Sequence, residues 1–246
     1  RKGALQPALY GGRQRRHASA PPPHTAVGIL SRACQRAENN PFPASLSKPA
    51  LEMFDTLGRR SNFVYRLIFA NLWLFKGVLN GICKKSGGEL NALMRTTVAF
   101  TQMSGSKGMN VLPSRAEMIA NLRIMCGESV ESVRAYLQKV IADDKVKIDV
   151  VYGMNPSNIS ETQGEAWEMM RRAVRQTWTD ALVSPYLMLA CSDSRHYGEI
   201  SDHVYRFSAM ALSKEERGMI HGNDERIPLE KIVQTVEFYL RLIKQF

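Results

Sequence analysis

Four short clusters hold the side chains of this chain best suited to chemistry. The first is His17-Ala18-Ser19-Ala20-Pro21-Pro22-Pro23-His24-Thr25-Ala26. The second is Asn110-Val111-Leu112-Pro113-Ser114-Arg115-Ala116, followed by Asn121-Leu122-Arg123. The third is Ser192-Asp193-Ser194-Arg195-His196-Tyr197, and the fourth runs from Ile220-His221-Gly222-Asn223-Asp224 to Pro228. Imidazoles such as those of His17 and His221 can in general bind metal or exchange protons near neutral pH. The guanidinium forks of Arg123 and Arg195 suit a carboxylate. Each cluster also has a plainer reading. His17 reads as a polar loop residue beside a Pro-rich turn, and Arg123 as a strand residue paired with a carboxylate. Asp193, Arg195 and His196 read as a surface ion-pair cluster, and His221 as a solvated or capping residue.

The elements that must position these residues follow from hydropathy patterning. Residues 3–12 read as a short strand, broken by Gly11-Gly12 and the basic run behind it. His24 to Glu38 reads as a helix, with Ala26, Ile29, Leu30, Ala33 and Cys34 at helical spacing, ended by Asn39-Asn40-Pro41. Residues 41–90 form an insertion with helical patterns near 50–58 and 63–84, closed by Ser86-Gly87-Gly88. Strands are expected at 96–101, 116–125 and 146–152, with a helix over 130–142 between the last two. That order predicts a βαββαβ sandwich with helices on one face of an antiparallel sheet. After a linker at 154–160 the character shifts. A helix is expected from Ser160 to Trp178, a strand buried on both faces from Leu182 to Ala190, and another strand from Val204 to Ala211. Pro228 opens a C-terminal helix whose apolar positions are Ile232, Val233, Val236, Tyr239, Leu240 and Ile243.

Composition narrows the partners. The net charge is +10, and Arg1, Lys2, Arg13, Arg15, Arg16, Arg32 and Arg36 all precede the first acid, Glu38. No aromatic RNA-binding signature or zinc-finger spacing accompanies this basic run, so nucleic acid is not the expected partner. An anion-binding use of residues 1–16 is the weakest of the functional readings. Cys34, Cys83, Cys126 and Cys191 include no Cys-x-x-Cys pair and read as buried thiols. The apolar stretch from Phe63 to Cys83 is interrupted by Arg66, Asn71, Lys76 and Asn80. It is expected to be an amphipathic, partly buried helix and not a transmembrane segment, with interfacial membrane contact as the minor reading.

Taken together and in this order, the four clusters resemble the dizinc metallohydrolases that include aminoacylase, carboxypeptidase S and Gly-Xaa carboxypeptidase. The carboxypeptidase S branch is the most similar, because it also carries a helical insertion after the Pro-Pro-Pro-His-Thr-Ala segment. The resemblance runs from about His17 to the C-terminus. It implies an α+β chain: residues 1–152 a ferredoxin-like βαββαβ lid or dimerisation domain with its insertion at about 41–90, and 153–246 the C-terminal part of an α/β zinc-hydrolase catalytic domain. It implies hydrolysis of the amide bond in N-acyl amino acids or short peptides with a free carboxylate. By the same resemblance His221 is a zinc ligand and His17 the lid histidine that stabilises the oxyanion. Asn110, Arg123 and Arg195 hold polar or carboxylate groups of the substrate. A homodimer through the lid is expected.

The resemblance is incomplete. The family's other metal ligands, a His-x-Asp motif, a bridging Asp and a Glu-Glu pair, lie upstream of its lid, and no histidine here is followed by x-Asp. Glu215-Glu216 is the right dipeptide in the wrong place and reads as a solvated turn. The intact enzyme is therefore expected to hold two zinc ions, and this chain alone to hold none stably and to be inactive. Arg15-Arg16 and Ala190-Cys191 stand where the family has Gly-Gly, and Pro7 sits in the first strand, where it is poor for a sheet interior. The first and last of these predict an altered N-terminal segment, and the missing initiator Met predicts a true start further upstream. The alternative to an enzyme fragment is a non-catalytic dimerisation module.

Overall fold

Small apolar residues on both sides of one strand make it the centre of the sheet. In β1 (Gly3–Gly12), Ala4, Leu5, Ala8 and Leu9 are buried. The computed structural model describes residues 3–12, 16–189 and 192–246. Arg1, Lys2, Arg13, Arg15, Ala190 and Cys191 therefore lie outside the described residues. The described chain forms two compact units, one within 1–159 together with Tyr186–Ser192, the other within Ser160–Pro185 together with 193–246.

In the first unit β1 is followed by the two-residue strand β2 (Arg16–His17) and helix α1 (Ala26–Asn39). Thr25 caps α1 by accepting from the Gly28 amide, and Ile29, Leu30, Ala33 and Ala37 form its buried stripe. The insertion holds α2 (Lys48–Arg60), α3 (Phe63–Ala70), α4 (Leu72–Ser86) and α5 (Gly88–Met94). There follow β3 (Thr97–Ser104), β4 (Val111–Leu112), β5 (Arg115–Ile124), α6 (Val130–Ile141) and β6 (Val146–Met154). The sheet order is β3-β5-β1-β6 with every pairing antiparallel. The expected βαββαβ sandwich is thus present. Leu5, Leu9, Ala120, Leu122, Ile124 and Ile148 face α1 and α6, where Ile29, Leu30, Val133, Leu137 and Ile141 complete the core.

Pro7 does not break this strand. On the β6 side the register shifts between Gln6 and Pro7, so that Val151 is the extra residue of a β-bulge. A bulge tolerates a residue with no amide hydrogen. Residues 3–12 therefore sit as the central strand, and Pro7 is no mark of an altered segment. Arg36, part of the basic run, has a local use: its guanidinium donates to the carbonyl of Ile141 at the C-terminal end of α6.

The insertion departs from expectation. The stretch 63–84 is not one partly buried helix but two, bent by 108° at Asn71. Its second half buries Cys83 and packs Leu72 and Leu79 against Met53, Phe54, Leu93 and Met125, while most of its large apolar residues are exposed. No single helix among the described residues is long and apolar enough to cross a membrane.

The second unit is helical where it is regular: α7 (Glu165–Thr177), a 3-10 turn at Asp193–Glu199, α8 (Lys214–Gly218) and α9 (Leu229–Ile243). Its core joins Ala173, Val174, Ala209 and Phe238, with the Trp178 and Phe207 rings tilted against Phe238. The expected strands at 182–190 and 204–211 are absent from the described residues. Pro185 interrupts the first, and Leu182 and Tyr186 are exposed; only Leu187 is fully buried, within the first unit. A strand needs a neighbour to satisfy its backbone, and neither segment has one here. The helix expected from Ser160 begins only at Glu165. The apolar stripe of α9 is also open: Ile232, Val233, Val236, Tyr239, Leu240 and Ile243 are exposed, and Phe238 carries the packing.

Candidate functional site

The lid candidates meet at one end of the sheet. β1 ends at Gly12, whose partner on β5 is Arg115. Just beyond, β2 pairs with β4, Arg16 with Leu112 and His17 with Val111. The Ala18 amide donates to the Asn110 carbonyl at 2.9 Å, so the backbones of His17 and Asn110 are locked side by side. Both residues are exposed. At the same end the Arg115 guanidinium lies 3.7 Å from the centre of the Tyr10 ring.

The hydrogen bonds of His17 fix its chemistry. The Ser19 amide donates to His17 Nδ1 at 3.3 Å, and the Ser19 hydroxyl lies 2.8 Å from the same nitrogen. A backbone N–H can only donate, so Nδ1 carries its lone pair and the neutral ring holds its proton on Nε2. His17 thus offers an N–H donor on an exposed ring, the polarity that an oxyanion needs. Ser19 was not assigned a role from the sequence; the signal for it is the hydroxyl two residues after the histidine, the reach of a local side-chain turn. Arg115 was also passed over, although it lies inside the second cluster.

Arg123 is not brought to this end. It sits eight residues along β5 from Arg115, paired with Ala4 and Thr97, which puts it about 27 Å away at the rise of an extended strand. Strand alternation points it to the face opposite Leu122 and Ile124, away from the helices. The lid therefore presents two polar positions, His17 with Asn110 at one end and Arg123 at the other.

In the second unit, Arg195 lies in the 3-10 turn, half-buried, and its Nε donates to His196 Nε2 at 3.0 Å. Arg206 donates to Ser194 at 2.9 Å and braces the same turn. His221 lies in a separate tight turn. The Gly222 amide bonds the Met219 carbonyl at 2.8 Å, and His221 itself has φ 63°, a left-handed conformation uncommon for a residue with a Cβ. Its amide donates to Glu225 at 3.1 Å, and its side chain is exposed. Glu215-Glu216 does not form a turn. It opens α8, where Glu216 and Ser213 make a reciprocal capping box, so Glu216 is committed to helix initiation.

Among the described residues no group of three or more His, Cys, Asp or Glu side chains is arranged to hold a metal ion. His221 is a donor without a surrounding set. A zinc site needs three or four such donors, so these residues by themselves do not fit a zinc pair.

The chain is similar to several known proteins. The family pattern described as a peptidase dimerisation domain matches residues 1–149. Over 241 residues the chain is 33% identical to a probable carboxypeptidase S-like protein of Dictyostelium discoideum, covering 98% of this chain and 45% of that one. It is also 33% identical, over 245 residues, to the N-fatty-acyl-amino acid synthase/hydrolase PM20D1 of Xenopus tropicalis, covering 99% and 48%. The chain thus spans about half the length of the curated relatives it matches. Among solved structures, an M20 family metallo-carboxypeptidase from Sulfolobus solfataricus superposes with a TM-score of 0.59 at 14% identity, over 99% of this chain and 58% of that one. The aminopeptidase PepT from Bacillus cereus gives 0.51 at 16%, over 99% and 52%.

Proposed function

The chain belongs to the M20 peptidase family, with the family's dimerisation domain at residues 1–149, and from that premise we propose that it forms the lid and the following catalytic-domain segment, residues 153–246, of a metal-dependent amidohydrolase. The substrate of the whole protein is an N-acyl amino acid or a short peptide with a free carboxylate. His17, with its proton on Nε2, steadies the oxyanion of the tetrahedral intermediate. Asn110, locked beside it, holds a polar group of the substrate. Arg195 binds the substrate carboxylate, and Arg123 serves a second polar position at the far end of the lid. His221 supplies one ligand to the metal site.

The observation that carries this reading is the β2–β4 ladder, which joins the histidine of the first cluster to the asparagine of the second. They are 93 positions apart in sequence (17 to 110) and adjacent in space. The remaining metal ligands and the general base come from chain outside these 246 residues, so the chain alone neither holds zinc nor hydrolyses amides. The lid also forms a homodimer, through the β3 edge. That strand, Thr-Val-Ala-Phe-Thr-Gln-Met-Ser, carries no charge, whereas the opposite edge, β6, carries Lys147 and Asp149. Uncharged edges favour strand addition.

The test compares the longest gene product containing these residues with residues 1–246 alone. Zinc content and release of free amino acid from N-acyl amino acids are measured for both. The reading expects zinc-dependent release by the longer protein only. Zinc-independent release by the shorter chain, or no release by the longer one across acyl and peptidyl substrates, sinks it. A lid that dimerises in a protein without hydrolytic activity favours the non-catalytic module.

A further inference from the structure

The helices α3 and α4 expose many of their large apolar residues. On α4, Leu74, Val78 and Ile82 recur every fourth residue on the outer face, next to Trp73, which is 80% exposed. On α3, Phe63, Val64, Tyr65 and Leu67 are exposed, Phe63 to 77%. The inner faces are accounted for: Leu72, Leu79 and Phe69 pack on the core of the insertion, and Phe69 stacks on Phe54. Gly77 and Gly81 on α4 open onto empty space. Exposed apolar side chains therefore stand on both sides of the 108° bend.

The charge around that surface has one sign. Between Asp55 and Glu89 there is no acidic residue, while Arg59, Arg60, Arg66, Lys76, Lys84 and Lys85 are all present. Among these, Arg66, Lys76, Lys84 and Lys85 sit on α3 and α4 themselves and are exposed. A second copy of the chain is a poor occupant, because a two-fold contact would bring these cations against their own copies. Exposed aromatic and aliphatic residues interleaved with cations suit an anionic lipid surface, where apolar side chains enter the acyl boundary and cations meet the headgroups. Trp73, Tyr65 and Phe63 are the residue types that favour that boundary. Neither helix is long enough to span by itself: at 1.5 Å per residue they extend about 12 and 22 Å, against about 30 Å of hydrocarbon, and the pair is bent by 108°.

We propose that the α3–α4 element is an interfacial anchor that binds anionic lipid bilayers and lies in the membrane surface. This does not depend on the hydrolase reading. The experiment is co-sedimentation of the full-length protein with vesicles of phosphatidylcholine alone and with about 30 mol% phosphatidylserine. The wild-type protein binds the anionic vesicles at least about tenfold better than the neutral ones and is released at about 0.5 M salt. One variant combines W73S, L74S, V78S and I82S, all at exposed positions; another combines K76Q, K84Q and K85Q. Each lowers binding about tenfold or more, with circular dichroism and melting temperature unchanged. The charge variant keeps the test valid if the apolar variant misfolds. Equal binding to neutral and anionic vesicles, no binding to either, or full binding by the charge variant overturns the proposal. So does a drop in oligomeric mass in the apolar variant of a wild-type protein that ignores vesicles, which would assign the surface to a second copy.

Discussion

At the residue scale, His17 and Cys34 show how local surroundings set reactivity. His17 is exposed and its side-chain bonds are local ones to Ser19, so replacing it should remove a donor at little cost to the fold. On the proposed oxyanion role, His17→Ala in the longest gene product is expected to lower kcat by about 10²- to 10³-fold with little change in KM, the pattern of a lost oxyanion donor. Steady-state kinetics beside a melting curve check this; an unchanged kcat removes His17 from the mechanism. Cys34 lies on the buried face of α1, and its thiol is pushed up from 9.0 to about 11, chiefly by burial and secondarily by Glu38. The folded state therefore disfavours the thiolate. Below pH 9 both folded and unfolded thiols are protonated, and the site is neutral to stability changes with pH. Between about 9 and 11 only the unfolded chain ionises, so stability falls as pH rises. Denaturant titrations of wild type and Cys34→Ala across that range should converge as pH rises; parallel curves would show that Cys34 ionises equally in both states. At pH 8 Cys34 should react with thiol reagents only after unfolding.

At the element scale, the insertion is held to the lid by Arg95, which is 2% exposed. Its guanidinium donates to the Phe42 carbonyl at 3.0 Å and to Asn80 on α4. It thereby joins the loop before α2 to the second apolar helix. Beside it, Thr96 accepts from the Met125 amide at 2.8 Å and donates to Glu128, which ties the end of α5 to the end of β5. Replacing Arg95 by Met keeps the volume but leaves buried acceptors without a donor. Arg95→Met should cost about 2–3 kcal/mol in urea unfolding. A loss below about 0.5 kcal/mol would mean that water replaces the guanidinium at no cost.

At the scale of the whole molecule, the family's dimerisation domain makes self-association the property to measure. The uncharged β3 edge is the surface proposed for it. Sedimentation should give about twice the 27.7 kDa of one chain for the isolated 246 residues. Thr101→Lys with Met103→Lys puts like charges opposite each other across a two-fold axis and should shift the mass toward one chain. A dimer indifferent to both changes uses another surface. The open stripe of α9, with Ile232, Val236 and Ile243 exposed, belongs to a different question: the chain spans about half of its relatives, and among the described residues neither expected strand, 182–190 or 204–211, forms.

The sequence by itself determined the lid. Its helices and strands are written in periods of 3.6 and 2, because each buries one face against its neighbour and the pattern records that face. The order of the four clusters likewise identified the family, since residue types at fixed spacing are a property of the chain alone. Only the tertiary structure decided the rest. Whether Pro7 fits depends on a bulge in β6, a partner strand more than 140 positions away. Whether an apolar run such as Phe63–Cys83 or Leu182–Leu189 is buried depends on what stands opposite, and hydropathy records an apolar face without recording what covers it. The tautomer of His17 and its place beside Asn110 depend on hydrogen bonds whose geometry exists only once β2 and β4 pair.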